Sequence, residues 1–149
     1  LPARRALGVD LGSKRIGIAV SDRSGTIASP LLVVQRSGDR RVDHRRIAEL
    51  VVEEEADVVV VGLPINMNGT MGPAATAAVA EARALATVVG VPVETYDERR
   101  TTSTAEAALM EFKMKAQDRR RVVDKVAAAV MLQAWLESGG AARGQESSS

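Results

Sequence analysis

The stretch Asp57-Val-Val-Val-Val-Gly62 constrains the fold of this chain more than any other. Val58 to Val61 are apolar at every position, with no alternation. Such a run is the mark of a central strand covered on both faces. Around it the chain changes period in a regular way. Residues 6–10 and 15–21 read as strands joined by a short turn at Leu11–Lys14, which favours an antiparallel hairpin. Residues 27–34 make a third strand, and Pro30 suits an edge position or a bulge. Val42, Ile47, Leu50 and Val51 then fall on one helical face, through about Glu54.

After the valine strand comes a loop rich in Asn and Gly, from Leu63 to Gly72. Pro73 opens an Ala-rich helix expected to reach Val89, with Gly90 as its stop. Residues 91–96 form a fifth strand. A helix is expected over 102–110, a charged mobile segment over 113–121, and a last helix from Asp124 to Leu136. From Ser138 onward the chain is Gly, Ala and Ser and is expected to be disordered. The reading is thus one domain over 1–138 and a tail over 139–149. Three strands in a meander, followed by alternating helices and strands, predict an α/β fold. Its sheet is mixed and five-stranded, with helices on both faces.

Composition narrows the function classes. The chain has 149 residues, enough for one domain, and 46% of them are hydrophobic, enough for a core. One Trp, one Tyr and one Phe are too few for a sheet face that stacks successive bases. Any nucleic-acid contact must then rest on phosphates and shape. No cysteine is present, which removes disulfides, cysteine nucleophiles and thiolate zinc sites and fits a reducing cytoplasm. No apolar run is long enough to span a membrane and no signal-peptide pattern opens the chain. It begins at Leu1, so the natural start is expected upstream. Net charge is only +1, but arginines 36, 40, 41, 45 and 46 cluster, as do Lys113, Lys115, Arg119, Arg120, Arg121 and Lys125. These clusters read either as a local anion-binding surface or as solvated faces.

Three acidic points lie where an α/β sheet gathers its ligands, beyond the carboxyl ends of the strands. They are Asp10 after the first strand, Asp97 and Glu98 after the fifth, and Asp124 at the start of the last helix. Carboxylate oxygens are hard ligands suited to Mg²⁺ or Mn²⁺. Two such ions about 4 Å apart can clamp a phosphodiester. Each residue also has a plain structural reading. Asp10 can start a turn, Asp97 and Glu98 can cap a helix, and Asp124 can be an N-cap. Asp124 shares a helical face with Ala128, Met131 and Trp135, which would point it inward. His44 reads as a surface residue of the first helix, Trp135 as core, and Asn66 and Asn68 as loop caps or substrate contacts.

Four blocks resemble one family. GVDLGSKRIGIAVSD (8–22), VVVGLPINMNGTMGPAA (59–75), YDERRTTSTAEAAL (96–109) and VVDKVAAAVMLQAWL (122–136) are similar to the YqgF proteins, in family order. These are described as pre-16S rRNA nucleases or Holliday-junction-resolvase-like proteins. The resemblance implies a ribonuclease-H-like fold and metal-dependent phosphodiester hydrolysis at the 5′ end of precursor 16S rRNA. It places catalytic and metal-binding roles on Asp10, Glu98 and Asp124. Lys14, Asn66, Arg99 and Lys125 would hold substrate. Junction resolvases of the same fold are similar at Asp10 and Asp124, but carry Glu where this chain has Asn66 and Asp where it has Ala127.

The implied partners are precursor 16S rRNA or branched DNA, and an assembling small ribosomal subunit, with the protein a cytoplasmic monomer or homodimer and no membrane involved. Three other functions compete. A DNA junction resolvase needs a twofold dimer. A noncatalytic RNA- or ribosome-binding module needs no carboxylates. A sugar-kinase-like ATPase needs a second domain, for which this chain has no room.

Overall fold

The computed structural model describes residues 3–101 and 119–142, and of residues 119–124 only the backbone. Five strands form one sheet: β1 (Ala6–Leu11), β2 (Arg15–Ser21), β3 (Ala28–Gln35), β4 (Val58–Leu63) and β5 (Val93–Asp97). Their order across the sheet is β3-β2-β1-β4-β5. The first three strands pair antiparallel, and β1–β4 and β4–β5 pair parallel. The mixed sheet predicted from the chain order is therefore present, and it is the ribonuclease-H-like arrangement. β3 is an edge strand, and Pro30 pairs with Ala19 next to an irregularity in register between Ile18 and Ala19. A missing N–H is tolerated there because nothing pairs beyond it.

Two layers of helix cover the sheet, and the strands sort their residues between them by simple alternation. Leu7, Val9, Ile16, Ile18, Val59 and Val61 pack on one face against α1 (Arg40–Glu53) and α2 (Pro73–Ala86), through Ile47, Leu50, Ala82 and Leu85. Ala6, Ala19, Val58 and Val60 pack on the other against α3 (Arg119–Glu137), through Ala128, Met131, Leu132 and Trp135. The four valines of β4 are all fully buried, split between the two faces. Each such side chain contributes about 1.5–3 kcal/mol by leaving water. Trp135 is core, as expected.

Several boundaries differ from the sequence reading. α2 ends at Ala86 rather than Val89. Thr87 turns its hydroxyl onto Ala84 O at 2.7 Å, and the following Val88 and Val89 add β-branched residues that do not extend a helix well. α3 starts at Arg119, so residues 119–121 are helical rather than mobile, and Asp124 stands inside the helix rather than at its N-cap. Residues 138–142 are not a disordered tail. Arg4 N donates to Ala141 O at 3.1 Å, and Ala141 is buried. The expected helix over 102–110, residues 113–118, and tail residues 143–149 lie outside the described residues.

His44 is the clearest correction. It was read as a surface residue, yet it is 2% exposed, with its Nε2 2.8 Å from Glu81 Oε2. α1 carries polar and charged residues around most of its circumference, so its charges did not mark which side faces inward. Glu81, from α2, supplies the partner that makes burial of the imidazole tolerable.

Candidate active site

Asp10 is the fifth residue of β1, and strand alternation points it to the α3 face, along with Ala6 and Gly8. Glu98 opens a short 3-10 turn, Glu98–Arg100, directly after β5. Both side chains are half-buried, and they hydrogen-bond to each other. The Glu98 carboxyl is pushed up to about 7, first by burial, then by the charge of Asp10 and the bond to it, and last by Asp97. Glu98 therefore keeps its proton up to about neutral pH, well past the point where an ordinary carboxylate has lost it.

The adjacent acid, Asp97, does a different job. Its side chain caps the 3-10 turn by accepting from Arg99 N at 2.9 Å, and it holds the Arg99 guanidinium through Nε and Nη2, the latter at 2.7 Å. Arg99 holds the Asp97 carboxyl below the usual range. The DER triplet is thereby divided. Asp97 is a cap and an arginine holder, Glu98 faces Asp10, and Arg99 sits at the rim.

Two glycines make room for this arrangement. A Cβ on Gly62 of β4 would lie 2.6 Å from Glu98 Oε1 and 3.2 Å from Met131 Cγ. Any side chain there would displace the Glu98 carboxylate or α3. A Cβ on Gly8 would lie 3.0 Å from Leu132 Cβ and 3.3 Å from Ala128 O, so α3 rests directly on β1. The helix runs antiparallel to β1, since its C-terminal end leads to Ala141 beside Arg4. Residue 124, one turn before Ala128, thus lies on the side of the helix's path that heads toward the Asp10 end of the strand. The Asp124 side chain lies outside what is described.

The remaining expected site residues are placed unevenly. Lys14 is exposed in the β1–β2 turn, close in sequence to Asp10. Asn66 belongs to a self-bonded loop. Its N–H donates to Thr70 O at 3.1 Å, its carbonyl accepts from Gly69 N at 2.8 Å, and its Nδ2 donates to Thr70 Oγ1 at 3.1 Å. Asn68 Oδ1 accepts from Thr70 N at 3.1 Å and from Thr70 Oγ1 at 2.6 Å, so both asparagines shape the loop. That loop borders the site, because Arg99 Nη1 lies 3.5 Å from where a Cβ on Gly69 would stand. Lys125 is not brought to the acidic pair. It lines a hollow with Leu31, Leu32, Val33 and Gln35, over the edge strand β3.

Among the described residues, no group of three or more His, Cys, Asp or Glu side chains could hold a metal ion. Asp10 and Glu98 supply two carboxylates, and their mutual repulsion suits a hard divalent cation, which would replace the Glu98 proton. The pair thus fits the ion the sequence implied, with oxygen donors only.

A family model described as "RuvX: Holliday junction resolvase" matches residues 4–138. The chain belongs to the RuvX family. Relatives named "Putative pre-16S rRNA nuclease" are 45% identical over 139 residues in Pelotomaculum thermopropionicum, covering 93% of this chain and 90% of that one. In Listeria monocytogenes such a relative is 42% identical over 135 residues, covering 90% and 98%. RuvX membership agrees with the family resemblance read from the four blocks and with a hydrolase acting on nucleic-acid ester bonds. In structure the chain is similar to T. thermophilus RuvC in complex with a Holliday junction substrate, with TM-score 0.58, 20% identity, and coverage of 93% of this chain and 98% of that one. The fowlpox virus Holliday junction resolvase is similar at TM-score 0.52 and 13% identity, over 90% of this chain and 99% of that one. These two likenesses support the fold. Among the described residues, no helix is long and apolar enough to cross a membrane.

Sequence reading missed Gly8 and Gly62 as site residues. Their signal was present, since a glycine inside a strand marks a close approach of another element.

Proposed function

We propose that this chain is a metal-dependent nuclease that hydrolyses phosphodiester bonds in maturing the 5′ end of precursor 16S rRNA. The observation that carries this reading is the hydrogen-bonded pair Asp10 and Glu98 at the carboxyl ends of β1 and β5. Asp10, Glu98 and Asp124 would hold Mg²⁺ or Mn²⁺, which supplies an activated water and stabilises the leaving oxygen when bound. The protein's own residues do the rest. Gly62 gives the Glu98 carboxylate its place, and Asp97 orients Arg99 at the rim. Arg99 and Lys14 then offer cationic donors to the phosphate. The relatives' name favours precursor 16S rRNA as the substrate; such a substrate would be met in the cytoplasm, on an assembling small subunit.

The family description favours a second reading, resolution of branched DNA. That reading requires a twofold dimer with two such sites. One experiment addresses both. Precursor 16S rRNA, free and in assembling small subunits, and a four-way DNA junction are each incubated with Mg²⁺ or Mn²⁺ and wild type, Asp10→Asn or Asp124→Asn. Cleavage of the RNA by wild type alone, with RNA binding kept in both variants, is the expected result. Junction cleavage without RNA cleavage would move the assignment to DNA. Equal cleavage by the variants would rule out this site.

A further inference from the structure

We infer that Arg36 is a positioning residue that sets the turn carrying the chain away from Asp10, with Glu81 and His44 as its anchor. The inference rests on the nuclease reading for its link to cleavage. Its structural half stands apart from that reading.

Arg36 follows β3 immediately and reaches the opposite face of the sheet from the acidic pair. Its guanidinium spends each nitrogen on a different acceptor. Nε donates to Gly12 O at 2.9 Å, Nη1 to Glu81 Oε2 at 2.7 Å, and Nη2 to Glu81 Oε1 at 3.0 Å. Its backbone N–H donates to Lys14 O at 3.0 Å. One residue thus grips the β1–β2 turn at both ends. Gly12 N in turn donates to Asp10 O at 3.1 Å, so the gripped turn is bonded back to Asp10.

The anchor is well defined. Glu81 is 4% exposed and takes a further bond from His44 Nε2 at 2.8 Å. Asp43, also buried, accepts from Ser37 N at 3.0 Å and fixes the segment just after Arg36. On this side Leu11 packs against the core, while Gly12 and Ser13 border an open cleft of about 480 Å³ that Arg36 and Glu81 also line. Beyond Leu11, the tether from Arg36 to Gly12 and Lys14 holds the outer part of the turn. Only a planar fork can serve Gly12 and both oxygens of Glu81 together; a lysine ammonium can keep the charge but not the geometry.

The test uses Arg36→Lys and Arg36→Gln, with Ile47→Val as a control for lost stability in the same layer. Hydrogen exchange at residues 11–14 and cleavage kinetics are measured on all three. Arg36→Lys is expected to speed exchange at Gly12 and Ser13 and to lower kcat roughly tenfold to a hundredfold, with KM changed less than about threefold. The half-saturating Mg²⁺ concentration should rise in parallel. Arg36→Gln should fall further, so that Lys gives partial rescue. Exchange and kcat no different from Ile47→Val at equal loss of Tm would overturn the inference. If wild type cuts nothing, the nuclease reading fails, and exchange at the turn alone decides whether Arg36 holds it.

Discussion

Glu81 and Glu98 stand on opposite faces of one sheet and are driven in opposite directions. Burial raises the Glu81 carboxyl, but hydrogen bonds from Arg36 and His44 outweigh it and leave it below the ordinary glutamate value. Burial raises Glu98 too, and there Asp10 and Asp97 add to the effect, taking it to about 7. Burial acts alike on both, so the neighbours decide the outcome. A withdrawn carboxylate among cations is satisfied within the fold and reads as structure. One that faces another carboxylate is neutralised by a proton or by a cation from outside, and reads as a site.

Breaking that distinction begins with the acidic pair. Asp10→Asn and Glu98→Gln should each lower cleavage by about a thousandfold or more, since several kcal/mol of barrier rest on the ion they would hold. Thermal melting should show both variants as stable as wild type, or more so, because each removes a repulsion. A large loss of Tm would mean that the pair is structural after all.

The opposite face should give the mirror result. Glu81→Ala leaves Arg36 and His44 without their acceptor and should cost about 3–5 kcal/mol in urea unfolding. A cost below about 1 kcal/mol would show that surface-like screening governs this network as well.

Gly62→Ala tests the space under Glu98. The added methyl group meets Glu98 Oε1, so destabilisation of about 1–3 kcal/mol is expected together with slower cleavage. Full activity in this variant would show that Glu98 can move aside without consequence.

The smallest effect is a pH dependence. The folded pKa of Glu98 is raised from 4.5 to about 7, so the folded state holds a proton that the unfolded state has released. Its contribution to stability is complete below about pH 4.5 and is lost as pH rises through about 7. After allowance for solvent screening the loss should be about 1–2 kcal/mol. Metal-free wild type should therefore melt lower at pH 8 than at pH 5 relative to Glu98→Gln, and Mg²⁺ should restore much of the difference at pH 8. A parallel pH profile for the two proteins would reject the retained Glu98 proton.

The positions of Asp10 and Glu98 in the fold were legible because strand ends are legible. Asp10 ends a strongly apolar run and Glu98 directly follows β5, and a strand end in an α/β sheet faces the ligand edge. The choice between Asp97 and Glu98 was not legible, because adjacent residues differ only in which way a 3-10 turn aims them. The place of Lys125 over β3 was not legible for a related reason. It neighbours Asp124 in sequence, but successive helical residues point about a quarter-turn apart, and this one faces β3. His44 and Glu81 were missed as a pair because they are remote in sequence and meet only when α1 and α2 lie side by side.

The sequence by itself determined the layer order. Valines without alternation demand a strand with two covered faces, and the short turn after Asp10 demands an antiparallel neighbour. It also determined which carboxylates stand at strand ends. Only the tertiary structure decided which acids are satisfied and which are not. That depends on what each meets across the sheet: Arg36 and His44 at Glu81, Asp10 at Glu98. Periodicity records which face a side chain takes, while its charge state is set by neighbours that folding alone brings within hydrogen-bond reach.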